Sequence, residues 1–89
     1  MNVEQFTLNV SWYCAITSAS VTSWLRTAHR NRLVDGVPHS AHLVGLAVDV
    51  IYDQGLAPEE RREWAERLGL KLIAEGDHDH LQPLDWRAG

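Results

Sequence analysis

Three side chains from separate parts of this sequence have the chemistry to share one divalent cation. His42 and Asp49 stand in the stretch Ser40-Ala41-His42-Leu43-Val44-Gly45-Leu46-Ala47-Val48-Asp49, and His80 closes the run Asp77-His78-Asp79-His80. Two neutral imidazoles and one carboxylate are a set that can bind zinc and leave a fourth position open for water. The spacing limits how they can meet. Seven residues along a straight helix rise about 10 Å, too far for His42 and Asp49 to reach a single ion. Gly45 lets the chain bend between them, which places His42 at the end of a loop and Asp49 on the strand that follows. His80 must then arrive from a neighbouring strand. Asp49 lies between Val48 and Val50 in an apolar run, where an unpaired charge is costly unless it is neutralised or metal-bound. Four of the five histidines (His39, His42, His78 and His80) fall in two clusters, which strengthens the metal reading.

The elements that must position these groups read as follows. Residues 6–16 alternate, with Phe6, Leu8, Val10, Trp12, Cys14 and Ile16 on one parity, and period two with β-formers predicts a strand. A helix with Phe6, Val10 and Tyr13 on one face is the rival. Ser18 to Trp24 reads as a second short strand. Thr27 caps a short helix over Ala28–Val34, ended by Asp35-Gly36, and Val37 to Ser40 is loop because Pro38 holds Val37 extended. Ala47 to Tyr52 is nearly all apolar and predicts a central strand. Pro58 suits a first helical position, Glu59 and Glu60 suit the first turn, and Gly69 suits the C-terminal cap of a helix ending near Leu68. Trp12, Trp24 and Trp64 are expected in the core. Leu70–Ala74 and Asp77–Leu81 then form a hairpin-like pair about a Glu75-Gly76 turn.

Composition bounds the partners. Eighty-nine residues make one domain, spanning 1–89, and a chain this short buries only about 60–65% of its unfolded surface. A bound metal would add stability that so thin a core lacks. The net charge of −4 leaves no basic footprint for nucleic acid. The lone cysteine, Cys14, excludes an internal disulfide and a cysteine zinc cluster, and reads as a small buried hydrophobe. No apolar run reaches 18 residues, so no membrane span is expected. No signal peptide is apparent, which points to cytoplasmic synthesis and, for any outside target, to release by other means.

The pattern Ser40-x-His42-x-x-Gly45-x-Ala47-x-Asp49, followed by Asp77-x-x-His80, resembles the zinc D-alanyl-D-alanine carboxypeptidases and dipeptidases, a family that includes phage endolysins cutting the L-alanyl-D-glutamate bond of peptidoglycan. Thr22-Ser23-Trp24-Leu25-Arg26-Thr27 with Asn31 is similar to the family's Ser-Gly-Tyr-Arg-Ser segment and its following Asn, with Trp24-Leu25 in place of Gly-Tyr. The likeness covers roughly residues 18–82. It implies zinc on His42, Asp49 and His80, with water as fourth ligand, acidified to a pKa near 7. It makes Asp77 the acid that takes the water's proton and passes it to the leaving amine, and Arg26 the cation that faces the substrate, where a guanidinium can hold a carboxylate or an oxyanion. Ser40 is expected to bond a ligand or the substrate. His78 shares strand parity with His80 and is expected to face the site as a helper. Glu75 with His78 has the same spacing as Asp77 with His80 and competes for the assignment.

The expected architecture is α+β: a small, mainly antiparallel sheet with one or two packed helices and zinc at the mouth of a cleft. The expected function is hydrolysis of peptide bonds in peptidoglycan stem peptides containing D-amino acids. The alternatives are an inactive, metal-stabilised interaction protein of the same fold, and an enzyme on another amide. The short chain suits a compact phage or prophage product without a wall-binding module, and a second subunit, as in a homo-oligomer, could supply missing substrate contacts. Ligation needs both histidines neutral, so activity and stability should fall together below about pH 6.

Overall fold

A computed structural model of the chain describes residues 1–25 and 41–86. Helix α1 (Val3–Thr17) leads into strand β1 (Ala19–Ser23), and a 3-10 turn over Ala41–Val44 precedes β2 (Val48–Tyr52). Helix α2 (Pro58–Arg67), β3 (Leu70–Ala74) and β4 (Asp79–Pro83) complete the described chain. The four strands form one sheet in the order β1-β2-β4-β3, each pair antiparallel. This is the α+β architecture expected, with β2 and β4 in the middle. The proposed helix over Ala28–Val34 lies outside the described residues.

The strand expected over residues 6–16 is instead helix α1. Its start is fixed by a reciprocal cap: Gln5 N donates to Asn2 Oδ1 at 2.8 Å, and Asn2 N donates to Gln5 Oε1 at 3.3 Å. The hydroxyls of Thr7, Ser11 and Thr17 each donate to the carbonyl four residues back, at 2.7–2.9 Å, so these residues stay inside a helix rather than interrupt it. Phe6, Val10, Tyr13 and Thr17 are buried along one helical face. Leu8 and Trp12 remain 58% and 57% exposed, so the alternation was not the face that packs. Trp12 is therefore not a core residue, whereas Trp24 and Trp64 pack against the core.

Both described helices cover one face of the sheet. Phe6, Val10 and Tyr13 of α1 and Ala65 of α2 meet Val48, Val50, Leu70 and Leu81 in a single cluster. Because strand side chains alternate between faces, Asp49 of β2 and His80 of β4 turn to the opposite face. A polar network holds β4 from the helix side. Tyr52 Oη donates to Asp79 Oδ2 at 2.8 Å and lies 2.7 Å from Tyr13 Oη. Arg61 Nη1 stands 3.6 Å from the same carboxylate, with its guanidinium 4.1 Å from the centre of the Tyr52 ring.

Helix α1 makes a sharp stability prediction. Phe6→Ala should cost about 3–5 kcal/mol, whereas Leu8→Ala should stay within about 0.5 kcal/mol, both read from urea unfolding midpoints. A strand would have made the two losses similar.

Candidate metal centre

The sheet register brings the two strand residues together: Asp49 and His80 are direct partners across β2 and β4. His42 reaches them from the 3-10 turn. Gly45, with φ +74°, reverses the chain after that turn in a conformation that favours glycine. Trp24 pins the turn twice. Its indole Nε1 donates to Gly45 O at 3.0 Å, and its own carbonyl lies 2.6 Å from His42 Nδ1. His42 is fully buried. The result is that His42 Nε2 stands 3.2 Å and His80 Nδ1 3.3 Å from the same atom, Asp49 Oδ1. The two imidazole rings lie edge to face with centroids 5.1 Å apart.

These residues fit a zinc ion on two counts. Tetrahedral ligands on arms of roughly 2.0–2.1 Å sit about 3.3 Å from one another, which is the spacing found around Asp49 Oδ1. One ligand atom from each of the three residues falls within a mutual 4.8 Å. The second count is the proton inventory. A carbonyl can only accept, so His42 Nδ1 carries the proton it gives to Trp24, and neutral His42 turns the lone pair of Nε2 to Asp49. His80 Nε2 donates to Gln82 Oε1 at 2.8 Å, and neutral His80 likewise turns Nδ1 to Asp49. Two lone pairs aimed at a carboxylate repel unless a cation, proton or metal, lies among them. Trp24 and Gln82 are thus the groups that orient the imidazoles. The sequence signal for Gln82 was its shared strand parity with His80; Trp24 offered none, since it acts partly through its backbone.

The remaining predicted residues are distributed unevenly. His78 does face the site, with Nε2 3.9 Å from Asp49 Oδ1, while its Nδ1 is 2.7 Å from Asp77 Oδ1. Asp77 is 91% exposed at its side chain. Glu75 Oε1 lies 3.4 Å from His80 Nδ1. Arg26 and Ser40 lie outside the described residues, as do His29 and His39.

The sequence profile of the family described as Peptidase M15 matches residues 13–80, more than half of the chain. The chain belongs to the Peptidase M15 family. Peptidase M15 enzymes are zinc peptidases that act on peptidoglycan, and the matched span contains His42, Asp49 and His80. No curated protein and no solved structure matches the chain.

Electrostatics give this Peptidase M15 chain two opposing pH dependences. Burial works against the Asp49 charge, but the imidazoles of His42 and His80, which donate to it when they carry a second proton, outweigh burial and hold the carboxyl well below its usual range. Burial opposes charge on His80 too, and the bonds to Asp49 and Gln82 outweigh it, raising its pKa above 6.5. A raised folded-state value stabilises the fold below about pH 6.5 and loses that contribution as pH rises through it. The depressed Asp49 carboxyl contributes at all pH values above the ordinary carboxylate range. Metal-free protein should therefore lose thermal stability between pH 6 and 8. Zinc competes with those same protons, so the rise in Tm caused by zinc should grow over that range. Thermal scans with chelator and with zinc chloride across pH 6–8 check both signs. The joint fall in stability expected below pH 6 thus belongs to the metal-loaded protein.

Proposed function

We propose that this chain is a zinc peptidase that hydrolyses peptide bonds in peptidoglycan stem peptides containing D-amino acids, of the D-Ala-D-Ala or L-Ala-D-Glu type. The single observation that carries this is the meeting of His42, Asp49 and His80 donor atoms on the sheet face opposite the described helices in a member of a peptidoglycan-acting family. Bound there, zinc would acidify water and polarise the scissile carbonyl. His42, Asp49 and His80 would hold the ion. Asp77, placed three residues before His80, matches the family's proton carrier. The bond from His78 keeps its carboxyl below the ordinary carboxylate range, so it is ionised at neutral pH. Arg26 and Ser40 are proposed to hold the substrate. Exposed Ile51 and Ile73, on the sheet face of Asp49 and His80, offer apolar contact for a peptide. The chain is proposed to reach the wall after release from the cell that makes it, as a phage or prophage product would. No described helix is long and apolar enough to cross a membrane.

The test is to incubate zinc-loaded protein with purified muropeptides and follow new amine groups, using L,D-, D,D- and L,L-dipeptides to define the bond. Release of amine from D-amino-acid substrates is expected. Asp77→Ala should lower kcat by at least about 100-fold while the zinc bound by His42, Asp49 and His80 is retained. No cleavage by protein with zinc demonstrably bound would end this reading.

A further inference from the structure

A peptidase built on His42, Asp49 and His80 gives no task to Glu75, whose Oε1 lies 3.4 Å from His80 Nδ1. Glu75 and His78 close the β3–β4 turn together, with Glu75 N donating to His78 O at 3.0 Å. One ligand atom each from Asp49, Glu75 and His78 falls within a mutual 4.8 Å. We infer that Asp49, Glu75 and His78 form a second divalent-cation site, sharing Asp49 with the first, so that the cleft holds two ions. The inference rests on the assignment of His42, Asp49 and His80 as the first set.

Three features carry it. Two carboxylates brought to one imidazole repel each other and are relieved by a cation between them. His78 is preset as a ligand from outside the set. Asp77 Oδ1 takes the Nδ1 proton at 2.7 Å, so neutral His78 presents its Nε2 lone pair on the side of Asp49; carboxylates orient metal-binding imidazoles in this way. Asp49 belongs to both sets, and a carboxylate has two oxygens with which to bridge. Two-metal hydrolytic sites place their ions only about 3.5–4 Å apart. The second set is the more open. Glu75 and His78 side chains are 43% and 30% exposed, against 0% for His42 and 12% for His80. Its ion therefore binds more weakly and exchanges faster. Two carboxylates and an imidazole suit zinc or manganese.

The experiment is calorimetric titration of metal-free protein with zinc chloride. Two equivalents per chain are expected. The tighter one should vanish in His42→Ala, and the weaker one should lose at least tenfold in affinity in Glu75→Gln and in His78→Asn. Asp77→Asn should weaken the second equivalent about tenfold and leave the first unchanged. A single equivalent in the unaltered chain, or a second equivalent indifferent to both Glu75→Gln and His78→Asn, overturns the second site. A single equivalent abolished by His42→Ala removes this inference and leaves the peptidase reading standing; no bound zinc at all removes both. Cobalt(II) supplies a readout that needs no variant. Ions sharing Asp49 couple magnetically, so the second equivalent adds less than a full paramagnetic signal, whereas two full independent signals overturn the shared site.

Discussion

The carboxylate of Asp49 is the constraint around which the site is arranged. It is the second residue of β2, between Val48 and Val50, which are fully buried. A charge there is tolerable only if its oxygen is met from several directions. It is met by His42 from a turn, by His80 from the adjacent strand and, at longer range, by His78 from the hairpin. Each imidazole is in turn fixed at its other nitrogen, by Trp24 O, Gln82 and Asp77. The groups that converge on Asp49 are therefore oriented in advance, and the cost of assembling them is met by folding rather than at the moment of metal binding.

That convergence depends on what happens on the other face of the sheet. β4 alternates between Asp79, Leu81 and Pro83, which are buried against the helices, and His80 and Gln82, which face the site. A slip of one residue would exchange these sets. Asp79 opposes such a slip because its carboxylate is held by Tyr52 and Arg61. Burial, together with the bonds to Tyr13 and Asp79, raises the Tyr52 pKa, so Tyr52 remains a donor and the lock persists across the working pH range. Leu81 inserted beside Val48 and Val50 adds an apolar reason for the same register. The core and the metal centre are two faces of one strand alignment.

Much of this was legible beforehand where a local signal had a single physical meaning. Pro58, the two glutamates behind it and Gly69 bracketed α2 closely. The apolar run at 47–52 announced an interior strand, found at Val48–Tyr52, and Asp49 within it announced an unusual need for partners. Residues 6–16 were not legible in the same way. Apolar residues there are so frequent that both period two and period 3.6 find a face, and the choice is made by what the face meets. Tyr13 meets Tyr52, and Phe6 meets Trp24 edge-on with ring centres 6.1 Å apart. Those partners lie far along the chain and leave no trace in the local pattern.

The amino-acid sequence by itself determined which side chains can ligate a metal, and that the carboxylate must lie on a strand and the first histidine before a bend. Only the tertiary structure decided that Asp49 and His80 are cross-strand partners, that a tryptophan carbonyl orients His42, and that Glu75 comes within 3.4 Å of His80. The reason is that ligand identity is a property of single residues, whereas distance between ligands is set by strand register and by which helix face is buried, and both are settled by contacts between distant segments.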